Sequence, residues 1–482
     1  MNKDLKTLKP ALVFKYFAEI LEVPRPSKKE EKMIEYLMNW GESRKLETLR
    51  DEIGNVLIRK PATKGMEDRP WVCLQSHMDM VCEKNSDKVF DFEKDAIQTY
   101  IEDGWLKADG TTLGADDGIG VATQLAILDS DDIVHGPIEC LFTVDEETGL
   151  TGAVELKPDF LKSRMLLNLD SEDEGEIFIG CAGGKDTLGR LPFEYEDAPE
   201  GIAFKLIIRG LKGGHSGDDI NKGLGNANKI LVRLLWILNE ELDMRLANID
   251  GGNLRNAIAR EAEAVIMIDP EDEAVLKDIV SSFAEDIKHE FRTTEPDLFI
   301  GIESESKPDK VIDLLAHDSL ISLVFALPHG VLAMSREIPG FVETSTNLAS
   351  IKMVEDNIEI NTSQRSSVAS AIEAACAKNA ACFNLAMAEY YHDDGYPGWT
   401  PNPDSKILKV AEDSYKRLFG KDPIVRAVHA GLECGLIGEK YPGMDMISFG
   451  PTIRGAHSPD ERLEIDTVQM FWDHTLDILK NI

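Results

Sequence analysis

Five short segments set imidazoles and carboxylates where apolar runs break off. QSHMDM carries His77 and Asp79, LGADDGIG carries Asp116 and Asp117, TVDEETG carries Asp145, Glu146 and Glu147, LNLDSEDEG carries Asp170, and RGAHSPDE carries His457. Singly each is weak: a lone histidine in a loop is ordinarily a surface residue, and a run such as SEDEGE is ordinarily solvated. Their co-occurrence is the signal. A run of Val, Leu, Ile or Phe that stops abruptly at a histidine or a carboxylate is costly unless those groups are satisfied together, as a shared metal cluster would do. Two imidazoles with several carboxylates and no thiolate suit Zn²⁺, with Mn²⁺ or Co²⁺ as substitutes, and suit Ca²⁺ poorly. Two such ions about 3.5–4 Å apart can share one carboxylate and one water whose pKa they lower, and that water becomes a nucleophile. On a strand, residues two apart face the same side, so Asp79 can accept a hydrogen bond from the second ring nitrogen of His77 and fix its orientation. Glu146 and Glu147 are adjacent and point differently, so one can bind metal while the other faces the water.

Side chains scattered along the sequence need elements to gather them. PALVFKYFAEILEV and KEEKMIEYLMNWGESR have apolar residues at helical spacing, NVLIRK, WVCLQ, PIECLFTV and RMLLNLD read as strands, and DDGIGVATQLAILDS reads as a helix. This alternation predicts an α/β fold with a mixed, largely parallel sheet flanked by helices, whose strand carboxyl ends collect ligands. From about Lys185 the texture changes to a β, α, β, α, β order through GIAFKLIIRGL, LGNANKILVRLLWILNEEL and REAEAVIMID, which predicts a separate α+β domain. A second round follows through FVETSTNLASIKMV, NIEINTSQ and SVASAIEAACAKNAACF, without a sequence repeat. HDDGYPGWTPNPDS, rich in Gly, Pro and Asp, marks the exit from it. The expected organisation is a catalytic domain of residues 1–184 and 390–482 with residues 185–389 inserted.

Composition excludes several functions. The 482 residues hold 52 Lys+Arg against 87 Asp+Glu, a formal net charge of −35 that repels nucleic acid and anionic membrane surfaces. No apolar run reaches the roughly 18 residues of a membrane span, and the N-terminus reads as no secretory leader, so a soluble cytoplasmic protein is expected. The seven cysteines are scattered without a CxxC pair, which argues against a disulfide framework or a thiolate zinc site.

SHMDM, LGADDGIG, DEETG, NLD, GGHSG and GAHSPDE, in this order and spacing, resemble the dinuclear-zinc family of aminoacylases, carboxypeptidases and dipeptidases. Within that family the likeness is strongest to its dipeptidases. It spans essentially the whole chain, including GGNLRNAI, VETSTNLA, SQRSS, GYPGW and HAGLECG. The resemblance implies a zinc-peptidase catalytic domain with an inserted lid and dimerisation domain, two Zn²⁺ per subunit, and hydrolysis of unblocked dipeptides, Xaa-His among a broad range. It makes His77 and Asp170 ligands of the first metal, Asp116 the carboxylate bridging both, and Glu147 and His457 ligands of the second. Glu146 becomes the general base, with Asp117 and Asp145 as support. His215, set among four glycines in GLKGGHSG, is read from sequence alone as part of a glycine-rich turn. The resemblance makes it an oxyanion stabiliser acting in the other subunit of a homodimer. Asn256 and Arg365 match positions that hold the substrate's C-terminal carboxylate, and Gly431 matches a glycine lining the pocket. An aminoacylase or carboxypeptidase, or an inactive binding homologue, remain the alternatives.

Overall fold

In the computed structural model, which describes residue 5 and residues 7–482, the chain divides into two compact units. The first is Met1–Gly180 with Trp399–Ala427 and Leu432–Ile482, and the second is Cys181–Gly398 with Val428–Gly431. These borders differ from the expected 184/185 and 389/390 for a hydrogen-bonding reason. Gly183–Pro192 is a strand of the second unit's sheet, flanked by Asn357–Ser366 and Glu389–His392. The Ala182 N–H also donates to the carbonyls of Val428 and Ala430, which draws that short loop into the second unit.

The first unit is built on an eight-stranded sheet. Its order is Glu47–Arg50, Val56–Lys60, Ile138–Thr143, Val72–His77, Met165–Asn168, Asp445–Ser448, Glu176–Cys181 and Ile424–Val428. Ile138–Thr143, Val72–His77, Met165–Asn168 and Asp445–Ser448 run parallel, so their carboxyl ends share one edge. Every residue of Val72–His77 and Ile138–Thr143 is buried, as strands covered on both faces must be, and this is why the sequence shows apolar runs instead of alternation. Helices Ala11–Ile20 and Ala115–Asp129 pack together, and Lys406–Phe419 packs on Ile465–Asn481. Lys406–Phe419 shows how its ends are set. The Ser405 hydroxyl accepts from the Leu408 N–H, Gly420 closes the helix with φ +70°, and Lys416 and Arg417 face the negative end of the dipole.

In the second unit an antiparallel sheet runs in the order Phe299–Glu305, Ile202–Arg209, Ala262–Ile268, Arg245–Gly251, Val342–Val354, Asn357–Ser366, Gly183–Pro192 and Glu389–His392, with Gly330–Met334 beside Val342–Val354. Its strands alternate: Phe204, Leu206 and Ile208 enter the core with Ala264, Ile266 and Ile268, against Leu231, Leu234, Leu235 and Leu238 of helix Ala227–Glu241. Asn226 caps that helix by accepting from the N–H groups of Asn228 and Lys229. Among the described residues no helix is long and apolar enough to cross a membrane.

Candidate metal centre

Three of the five segments lie at or just beyond the carboxyl ends of parallel strands. His77 ends its strand, Glu146 and Glu147 come three and four residues after Thr143, and Asp170 comes two after Asn168. Asp116 stands in the first turn of Ala115–Asp129 with non-helical backbone angles (φ −79°, ψ 114°). His457 arrives from the C-terminal segment with φ +63°.

Two ligand sets share one carboxylate. His77 Nε2 lies 3.1 Å from Asp116 Oδ1 and 3.5 Å from Asp170 Oδ1. His457 Nε2 lies 3.2 Å from Asp116 Oδ2 and 3.0 Å from Glu147 Oε2. Asp116 therefore turns one oxygen to each histidine. Within each set one ligating atom per residue lies within 4.8 Å of the others, and a third grouping places Glu146 equally near His77 and Glu147. His77, Asp116, Glu146, Glu147, Asp170 and His457 are thus brought together. The donors, two imidazoles and several carboxylates without sulfur, fit divalent cations, and Glu147 Oε1 is buried with no hydrogen-bond partner, as a group awaiting a ligand would be.

The electrostatics say the same. Burial pushes the Asp170 carboxyl up to about 7, with Asp116 adding to it against His77. Burial also drives Glu146 well above the usual carboxylate range, reinforced by Asp170, Glu147 and Glu433. Asp116 goes the other way, because its hydrogen bonds to His457 and His77 outweigh its burial. His457 is pushed up to about 11 by Asp116 and Glu147, and His77, despite burial, well above its ordinary value by Asp170, Asp116 and Asp79. So many acids in one buried place demand positive charge, and metal uptake would displace these protons.

Asp79 is fully buried and ties the pieces together. Its Oδ1 lies 3.3 Å from His77 Nδ1 and accepts the Glu146 N–H at 3.0 Å, and its Oδ2 accepts from Ser27 Oγ at 2.8 Å and the Glu147 N–H at 3.3 Å. These contacts hold its pKa low against burial. A further acidic trio, Glu30, Asp79 and Asp145, is occupied internally: Glu30 Oε1 accepts the N–H groups of Lys28 and Asp145, and Asp145 binds Thr148 and Thr151. Asp117 is buried and accepts the Gly120 N–H at 3.1 Å.

Sequence reading missed two braces. Glu461 accepts the N–H groups of Leu113 (2.7 Å), Gly114 (2.8 Å), Ala115 (2.8 Å) and Asp116 (3.2 Å), fixing the loop that presents Asp116. Arg25, 2% exposed, donates to the carbonyls of Met78 (3.1 Å), Asp79 (2.6 Å) and Gly114 (2.5 Å). Gly114 has φ +68°, and a Cβ there would meet Arg25 Nη2 at 2.5 Å. Glu461 stood within the quoted GAHSPDE; Arg25, in VPRPS, offered no signal.

The second unit holds His215, Asn256, Arg365 and Gly431. His215 Nδ1 accepts from the backbone N–H groups of Gly217 (3.3 Å) and Asp218 (3.2 Å), which leaves the ring proton on Nε2 as a donor. Burial and nearby Arg365 lower its pKa, favouring that neutral form. Asn256 is exposed, and its carbonyl accepts the Ser216 N–H at 2.8 Å, pinning the His215 turn. Arg365 is 7% exposed, donates to the Tyr396 hydroxyl at 2.9 Å, and keeps a buried Nε without a partner. Among the described residues no carboxylate pairs with it. Tyr396, absent from the residues singled out by sequence although GYPGW contains it, is gripped by glycines. A Cβ at Gly431 would meet its ring at 2.8 Å, and one at Gly184 at 2.7 Å.

Residues 73–479 match the sequence pattern of peptidase family M20/M25/M40. The chain is 45% identical over 480 residues to the cytosol non-specific dipeptidase of Escherichia coli (strain K12), covering 99% of each. It is also similar to the crystal structure of aminoacylhistidine dipeptidase from Vibrio alginolyticus, with TM-score 0.94, 44% identity, and coverage of 99% of this chain and 98% of that one. The aminopeptidase PepT of Bacillus cereus shares the fold at TM-score 0.57 and 18% identity, covering 98% of both chains.

Proposed function

The chain belongs to peptidase family M20/M25/M40, and from that premise we propose that it is a cytoplasmic, metal-dependent dipeptidase. It cleaves unblocked dipeptides, including Xaa-His, with two Zn²⁺ per subunit and Mn²⁺ or Co²⁺ as substitutes. The observation that carries the reading is Asp116, whose two oxygens face two separate histidine-bearing ligand sets. His77 and Asp170 would hold one ion, Glu147 and His457 the other, with Asp116 between. When bound, such a pair would supply Lewis acidity and lower the pKa of a bound water.

The chain's own residues do the rest. Asp79 fixes the His77 ring and, through the N–H groups of Glu146 and Glu147, aims both glutamates. Glu146, with its pKa raised by burial, takes the proton of the attacking water and returns it to the leaving amine. A buried arginine that no acid matches among the described residues, in a chain of net charge −35, suits the C-terminal carboxylate of a dipeptide, which Arg365 would grip beside Tyr396 with help from Asn256 and the backbone at Gly431. His215 donates from Nε2 to the scissile carbonyl oxygen as negative charge develops. The proposal includes a homodimer in which His215 serves the neighbouring subunit.

The test is a panel of a free dipeptide, its N-acetyl form and a tripeptide, assayed on purified protein before and after chelation and with Zn²⁺, Mn²⁺ or Co²⁺ restored. Metal-dependent cleavage of the free dipeptide alone is expected. Preferential cleavage of the N-acetyl form would make the protein an aminoacylase, and no cleavage with both metals bound would make it a binding protein.

A further inference from the structure

Beneath the carboxyl edge of the first unit's sheet runs a buried polar network in which, among the described residues, Glu433 is the one ionisable member. Glu433, the first residue of helix Glu433–Lys440, is 0% exposed. Its Oε2 accepts from Gln75 Nε2 at 2.6 Å and from Thr143 Oγ1 at 2.7 Å. Gln75 Oε1 accepts from Asn168 Nδ2 at 2.6 Å, and Asn168 Oδ1 accepts from the Ser448 hydroxyl and from the Asp170 N–H at 3.4 Å. Gln75, Thr143 and Asn168 sit on three adjacent parallel strands, respectively two, three and two residues before His77, Glu146 and Asp170.

A carboxylate in a sheet core is expensive, and an apolar side chain would fill the space more cheaply if packing were its only task. Residues two apart on a strand move together, so whatever holds Gln75 laterally also holds His77. We propose that Glu433 is a positioning residue for the metal pair, its Oε2 clamping Gln75 and Thr143 so that His77, Asp170 and the Glu146–Glu147 turn stay in ligating register. This rests on the dipeptidase reading above.

The experiment compares wild type with Glu433→Leu, which removes the accepting oxygen, and Glu433→Gln, which keeps one. Each protein is stripped of metal and titrated with Zn²⁺ against a competing chelator, and kcat and KM are read on a free dipeptide. Glu433→Leu should weaken metal binding by about 10- to 100-fold and lower kcat with KM little changed, while Glu433→Gln restores both. Glu139→Gln is the comparator. Glu139 is an equally buried carboxylate at the other end of the same strand as Thr143, paired with Arg59, and its loss should lower Tm while leaving metal affinity unchanged. If Glu433→Leu does not fold, Thr143→Val, which deletes one donor to Oε2 without changing shape, must weaken metal binding. Unchanged metal affinity in Glu433→Leu or in Thr143→Val, or a Glu433→Gln as impaired as Glu433→Leu, overturns the role of Glu433. A wild type that takes up no divalent ions overturns the dipeptidase reading itself.

Discussion

Replacing Glu461 tests whether the loop presenting Asp116 is held by one side chain. Four backbone N–H groups converge on its carboxylate at 2.7, 2.8, 2.8 and 3.2 Å, and the side chain is 2% exposed, so water cannot substitute. A buried donor stranded by loss of its acceptor costs about 1–3 kcal/mol. Glu461→Leu strands all four, at least about 4 kcal/mol even at the low end of that range, a large part of the 5–15 kcal/mol of a typical domain. Glu461→Gln keeps one accepting oxygen and turns an NH₂ toward the two remaining donors, so about 2–6 kcal/mol is expected. Urea unfolding followed by tryptophan fluorescence on metal-free protein measures the loss. Metal titration should show weaker binding in Glu461→Gln, because Asp116 loses its fixed backbone. A Glu461→Gln protein within about 0.5 kcal/mol of wild type, the range of an ordinary surface change, would refute the reasoning.

Other expectations follow from the same geometry. Glu146→Gln should reduce kcat by about 10²–10⁴-fold while two metals stay bound; an unaltered rate would remove Glu146 from the reaction. Arg365→Ala should raise KM for a free dipeptide while leaving its C-terminal amide unaffected, and equal effects on both would show that Arg365 does not read the carboxylate. Mixing inactive Glu146→Gln and His215→Ala chains should restore about a quarter of wild-type activity if His215 serves the neighbouring subunit; none returns if it serves its own. His474, 4% exposed and donating to the Ala411 carbonyl, has its pKa lowered by burial to about 4. The folded state then binds fewer protons than the unfolded one between the ordinary histidine value and 4. Stability is complete above about pH 6.5 and is lost as pH falls to 4, by about 3 kcal/mol, and His474→Leu should flatten that acid limb relative to wild type.

The sequence by itself determined the chemistry on offer and the kind of scaffold. Which residue types end which apolar runs is local information, and strands of consecutive buried residues announce themselves as Val, Leu, Ile and Phe runs. The order of those segments was enough to place the chain among M20 peptidases and to gather His77, Asp116, Glu146, Glu147, Asp170 and His457 as one set. Only the tertiary structure decided how they are held. Asp116 presents Oδ1 to His77 and Oδ2 to His457 because Glu461, 345 residues away, fixes its N–H. Glu433 reaches Gln75 across a separation of 358 residues, and Tyr396 stands against Arg365 because Gly184 and Gly431 leave room for its ring. Such contacts have no local signature. A carboxylate that caps a distant loop looks, in sequence, like any other acid in a chain holding 87 of them, until packing removes the water that would otherwise satisfy it.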